Sequence, residues 1–166
     1  ASASAPPAKR PKTAPSAPAF GCSALEVPGR VRVRQILLRT WREGTPQPQD
    51  PVRRKPVKRS QEQAELQLLQ VLADLGSLSG LSLAKGFSAA CKASSECPSS
   101  LQGGELSGDL GFLDKEKGVD TKRANGQMVK SAVPAAVLKA AFTLEVGELG
   151  DLVVSELGVH LLLRSA

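Results

Sequence analysis

Between Ser94 and Leu113 the chain packs four glycines (Gly103, Gly104, Gly108, Gly111) and Pro98 into a polar Ser/Cys-containing stretch. Such a stretch cannot be the interior of one helix, because glycine supplies tight turns that side-chained residues resist and proline removes a backbone donor. The turn Gly108-Asp109-Leu110-Gly111 closes it, and Leu110, Phe112 and Leu113 then supply apolar anchors. Cys97 stands in its polar half. Whatever this chain folds into has to build a packed domain around that connection.

The 166 residues suffice for one domain with a real core and a tail. Hydrophobic residues make up 41% but aromatics only 3%, so the core has to be Leu, Val and Ala. No apolar run approaches the roughly 18 residues that span a bilayer, and the first residues lack the apolar centre of a signal peptide. Cys22, Cys91 and Cys97 lack metal-ligand spacing, and a single histidine makes a structural zinc site a poor expectation. No metal and no cofactor are expected, and reduced thiols fit a cytoplasmic or nuclear setting. Charge is unevenly spread, with 13 Lys/Arg against 3 Asp/Glu in residues 1–60 and 9 against 13 in residues 61–166.

Residues 1–28, rich in Ala, Pro and Ser around Lys9-Arg10-Pro11-Lys12, read as a disordered basic tail. Residues 29–166 form the domain. From Arg30 to Thr40 charge and apolar residue alternate before Ile36-Leu37-Leu38, the pattern of a strand that starts half-buried and becomes central. In that reading Arg30, Arg32 and Arg34 face away from Val31 and Val33. Trp41 to Arg59 is a long loop with four prolines and six basic residues. Ser60 and Gln63 form a capping box for a helix carrying Leu66, Leu69, Leu72 and Leu75, with Val71 less well placed, which Gly76 ends. Residues 77–84 read as a connector, with a short helix from Phe87 to Ala93. The run Asp114–Asn125 reads as a charged surface loop. Pro134 suits the first turn of a helix with Val137, Leu138, Ala141 and Phe142. Asp151–Ser155 and Val159–Arg164 close the chain as a hairpin. The order is α+β.

Four segments, in order, carry a resemblance: Gly108-Asp109-Leu110-Gly111; Gly126-Gln127-Met128; Ala141-Phe142-Thr143-Leu144 with Gly147-Glu148; and Gly158-Val159-His160-Leu161-Leu162-Leu163-Arg164. Together they resemble parvulin-type peptidyl-prolyl cis/trans isomerases over residues 30–164. The resemblance implies a parvulin-like α+β fold of the FKBP-like kind, with about four antiparallel strands wrapped by three to four helices. It places Cys97 at the family's catalytic Cys/Asp position and His160 at the second of two buried histidines. Gln35 stands where the first would be, and Ser155 keeps a hydroxyl in the hairpin. Leu110, Met128, Val137 and Phe142 fall at positions around the pocket for the substrate proline ring, where the family usually has Phe in place of Val137. Leu157 replaces a small polar residue. Arg39, with the pair Arg53 and Arg54, matches the basic residues that the phospho-directed branch uses.

The resemblance implies isomerisation of X–Pro bonds in proline-containing protein or peptide substrates, with a preference for phosphoserine, phosphothreonine or an acidic residue before proline. The alternative is a parvulin-fold binding module with little turnover, which Gln35, Leu157 and Val137 favour. The domain is expected to act as a monomer away from membranes, with nucleic acid reached only through the basic N-terminal arm.

Overall fold

The computed structural model describes residues 29–115, 118–122, 128–131 and 133–166, without the side chains of 118–122 and 128–131. The tail 1–28 with Cys22, and the Gly126-Gln127 pair, lie outside the described residues. The elements are β1 (Arg30–Arg39), α1 (Gln61–Gly76), α2 (Gly80–Ser94), two 3-10 turns (Pro98–Leu101 and Gly104–Leu106), β2 (Asp109–Asp114), β3 (Gly118–Lys122), β4 (Met128–Ser131), α3 (Ala135–Thr143), β5 (Val153–Ser155) and β6 (Gly158–Arg164). One antiparallel sheet runs in the order β4-β3-β2-β1-β6-β5.

β1 is central, and its two faces serve different layers. Ile36 and Leu38 lie opposite Leu161 and Val159 and point towards α1 and α2. There Ala64, Leu68, Leu75, Leu83, Phe87 and Cys91 complete an apolar core. Val31 and Val33 point the other way and pack with Leu113 and Ala141 beneath α3. β1 is therefore buried on both faces along most of its length.

The capping box forms as the sequence requires: Gln63 N–H donates to Ser60 Oγ, and Ser60 N–H donates to Gln63 Oε1. Four readings need correction. α1 buries Ala64, Leu68 and Leu75, whereas Leu66 and Leu69 of the expected stripe are exposed. α2 is a full helix from Gly80, because Leu83, Phe87 and Cys91 recur every fourth residue and their burial overrides the weak propensity of Gly80 and Gly86. The charged run after Leu113 contributes β3, paired with β2 and β4, so the sheet has six strands. Arg34 does not face solvent: it is 5% exposed and lies against α2.

Candidate active site

β1 and β2 pair only from Arg30 to Arg34, where β2 begins at Asp109. Beyond that point the N–H groups of β1 on this edge need other acceptors. Gln35 N–H donates to Gly108 O at 2.8 Å, Leu37 N–H to Ser95 Oγ at 3.2 Å, and Arg39 N–H to a Glu96 carboxylate oxygen at 2.6 Å. Glu96 N–H returns a bond to Leu37 O at 2.7 Å. The segment after α2 thus covers the half-edge that β2 leaves unpaired. In covering it, the chain passes from the α2 side of the sheet to the other face and sets Cys97 beside Gln35.

The glycine-rich turn then acquires a physical reason. Gly108 has φ +83°, and a Cβ there would lie 2.6 Å from Gln35 O, so no side chain is tolerated. Arg32 and Arg34 pair with Phe112 and Asp109, which leaves an extra residue on β2 at the Leu110-Gly111 bulge, with Gly111 at φ +76°. The buried Asp109 carboxylate accepts from Gly111 N–H at 3.0 Å and from both Arg32 Nε and Arg32 Nη2. Gln102 Nε2 donates to Asp109 O at 2.9 Å and ties the turn to the loop after Cys97.

Register places Gln35, His160 and Ser155 diagonally across β1, β6 and β5 on the α3 side: Leu37 lies opposite His160, Gln35 opposite Leu162, and Ser155 opposite Gly158. Their side chains form one directed chain of hydrogen bonds. Leu157 N–H donates to Ser155 Oγ at 3.2 Å, and Ser155 O–H donates to His160 Nε2 at 2.5 Å. His160 Nδ1–H donates to Gln35 Oε1 at 3.0 Å, and Gln35 Nε2 donates to Cys97 Sγ at 3.2 Å. The tautomer and amide orientation are those that this network requires. Ser99 O–H supplies a second donor to the sulfur at 3.0 Å. His160 is wholly buried, and burial together with the nearby Arg39 charge lowers its pKa from 6.5 to about 4, so it is neutral around pH 7.

The other residues singled out from sequence fall into three groups. Leu110 and Phe142 are partly buried against the core under α3. Val137 is fully buried and does not reach the surface. Met128 begins β4, paired with Lys122, and its side chain is not described. Arg39 ends β1 on the same side as Gln35, and its Nε is buried with no hydrogen-bond partner among the described residues. Arg53 does not pair with Arg54 over a common space: its guanidinium bonds Asp50 and the carbonyls of Ala93 and Ser95. Arg54 is exposed, with φ +53°.

Sequence reasoning passed over Ser99, Ser95, Glu96 and Arg59. Arg59 Nη1 bonds Glu96 Oε1 at 2.9 Å and Arg39 O at 3.1 Å, which fixes the carboxylate that holds β1 beside Cys97. Ser99 and Glu96 flank Cys97 in sequence, and that adjacency was the one signal available. An open depression over the start of α1, lined by Lys58, Arg59, Gln63, Leu66 and Gln67, contains no residue of the Cys97–Gln35–His160–Ser155 row.

A central antiparallel sheet with α1 and α2 on one face, α3 on the other, and a cysteine delivered to a buried Gln–His–Ser row defines a parvulin-like α+β protein. Residues 46–166 match the rotamase family, described as the PPIC-type PPIase domain. The chain belongs to that family and carries a domain of the peptidyl-prolyl cis–trans isomerase class. No curated protein sequence matches it significantly. Among solved structures it is similar to the peptidyl-prolyl isomerase ESS1 from Candida albicans, at 22% identity and TM-score 0.54, covering 83% of this chain and 63% of that one. It is also similar to the PPIase domain of TbPAR42, at 21% identity and TM-score 0.60, covering 82% of this chain and 99% of that one. For TbPIN1 the identity is 18% and the TM-score 0.56, covering 84% of this chain and 100% of that one. The chain thus spans less than two thirds of the Candida albicans protein.

Proposed function

We propose that this domain catalyses rotation about X–Pro bonds at Cys97, with a preference for substrates that carry phosphoserine, phosphothreonine or an acidic residue before proline. Unaided rotation faces a barrier of about 20 kcal/mol and takes on the order of 10–100 s. No covalent bond has to form or break, so the domain needs only to bind the twisted amide better than either planar form. Leu110 and Phe142 hold the proline ring. Cys97 lies beside the rotating carbonyl, with its sulfur oriented by Gln35 and Ser99. A neutral His160 with both ring nitrogens engaged is not free to act as a base, which sets nucleophilic attack by an activated thiolate aside.

The single observation that carries the anion preference is Arg39. It stands on the Cys97 side of β1, its charge acts on His160, and its buried Nε–H has no hydrogen-bond partner among the described residues. The side chain is partly exposed, and a guanidinium so placed attracts an anionic oxygen. Arg54 adds exposed positive charge, whereas Arg53 is occupied in bracing the loop. The full burial of Val137 favours the second reading, a binding module with a shallow ring pocket and little turnover.

A protease-coupled isomerisation assay with matched Ser-Pro and phosphoSer-Pro peptides tests both readings. Faster turnover of the phosphopeptide, eroded by salt and lost in Arg39→Gln with the Ser-Pro rate unchanged, is the expected result. Equal rates for the two peptides overturn the anion preference. Binding of either peptide without turnover leaves the module reading in its place.

A further inference from the structure

Arg34 is the least expected charge in the domain. It stands on β1 with only 5% exposure and makes no salt bridge among the described residues. Its donors all go to neutral acceptors. Nε and Nη2 reach Ser107 O at 3.1 and 2.8 Å, Nη2 also reaches Ser88 Oγ at 2.6 Å, and Nη1 reaches Ala84 O at 3.2 Å. The guanidinium carbon lies 5.1 Å from the centre of the Phe87 ring. Asp109 and Glu105 act on it only at longer range, and burial lowers its pKa.

A buried cation without a paired carboxylate is costly, and an aliphatic side chain would fill the same space without that cost. What the guanidinium does and no aliphatic residue can do is join two places in the chain. Ala84 and Ser88 lie on α2 before Cys97, and Ser107 lies after it, at the exit of the loop. The next residue on β1 is Gln35, whose N–H holds Gly108 O and whose amide holds Cys97 Sγ. The segment that carries the sulfur is therefore closed at its neck by Arg34 and aimed at its tip by Gln35.

We propose that Arg34 is a positioning residue for the isomerase: its planar fork closes the neck of the Ser88–Ser107 segment and so fixes where Cys97 stands against Gln35. The proposal rests on the isomerase reading for its kinetic arm only. The geometric arm stands independently of turnover, because a neck held by a fork opens locally when the fork is removed.

The test compares parent, Arg34→Met and Arg34→Lys in peptide turnover with a Ser-Pro substrate and in backbone amide exchange. In Arg34→Met, kcat should fall about tenfold or more while KM moves less than about twofold, as expected when a group is displaced and not removed. Exchange should accelerate at Gly108 and Ser100, whose N–H groups close the loop on Ser99 O and Cys97 O, and stay unchanged at Leu161 on β6. Arg34→Lys keeps the charge but not the fork, and should remain impaired in both measurements. Full recovery by Lys, uniform acceleration across β6, or parent-like exchange at Gly108 each overturns the proposal. An inactive parent with the expected local exchange would instead count against the isomerase reading and leave the clamp standing. If Arg34→Met does not fold, Ser88→Ala removes one neutral acceptor and should show the same local pattern at smaller size; parent-like exchange there also overturns it.

Discussion

The two faces of the central sheet are built from alternate residues of the same strands, yet they have little chemistry in common. Towards α1 and α2, β1 and β6 present Ile36, Leu38, Val159, Leu161 and Leu163, all part of one apolar cluster. Towards α3 they present Gln35 and His160 among Leu37 and Leu162, with Ser155 beyond. Polar groups on a buried face persist only when each finds a partner. Here the partners form a row with one polarity, and the row ends on a sulfur. Apolar contact can be shared among many neighbours, whereas a directed row fails when any one member is lost. Stability should therefore depend mainly on the apolar residues of the first face, and turnover mainly on the second face and on Arg34, which braces the Cys97 loop from the first.

The most direct way to break that comparison is Leu68→Ala. Leu68 is fully buried on the inner face of α1, and the truncation should cost about 2–5 kcal/mol, read from urea unfolding. Turnover per folded molecule should be unchanged. A parallel fall in turnover below the unfolding transition would mean that the faces are not separable.

Acid titration comes next in size and acts on the second face. His160 has a folded pKa of about 4 against 6.5 ordinarily. The unfolded chain then binds a proton that the folded chain excludes, so stability falls as pH drops from 6.5 towards 4. The loss approaches about 3 kcal/mol and levels off below that window. His160→Gln should flatten the dependence there. Turnover should stay level above about pH 5, since His160 keeps one protonation state throughout.

Cys97→Ala should lower turnover by about tenfold or more, the scale of 1.4 kcal/mol in the barrier. Its thermal midpoint should barely move, because the thiol acts as a small polar group at the end of the row. Parent-like turnover would remove Cys97 from the site and leave the row without a function.

How much of this was legible follows from which interactions are local. The capping box at Ser60 and the turn at Gly108 are dictated by backbone needs within a few residues, and both stood out in the sequence. The directed row was legible only as separate residues, because Gln35 and His160 meet through strand register. Arg34 was misread outright. Its alternation with Val31 and Val33 correctly opposed it to them, but both faces of β1 are covered. The solvent expected on its side is replaced by the Ala84 carbonyl, the Ser88 hydroxyl and the Phe87 ring of α2, with the Ser107 carbonyl beyond. Likewise, Arg53 belonged on paper to a basic pair, and only the fold reveals the carbonyls of Ala93 and Ser95 that occupy it.

The smallest expected effect is also the one that separates the sheet from the loop as the source of the sulfur's orientation. Cys97 Sγ accepts from Gln35 Nε2, fixed on the buried face, and from Ser99 Oγ, on a half-buried 3-10 turn. A typical net hydrogen bond is worth about 0.5–1.5 kcal/mol, and this one, to a weakly accepting thiol, sits at the low end. Ser99→Ala should therefore slow turnover about threefold and leave stability within about 0.5 kcal/mol of the parent. Gln35→Met should do more, since it also leaves His160 Nδ1–H buried without an acceptor. Measuring both single variants and the double settles how the two donors combine. If their effects add, the sulfur is held independently from two sides. If Ser99→Ala costs nothing once Gln35 is gone, the loop donor works only on a sulfur that the sheet has already placed, and the polar row is the element that orients the site.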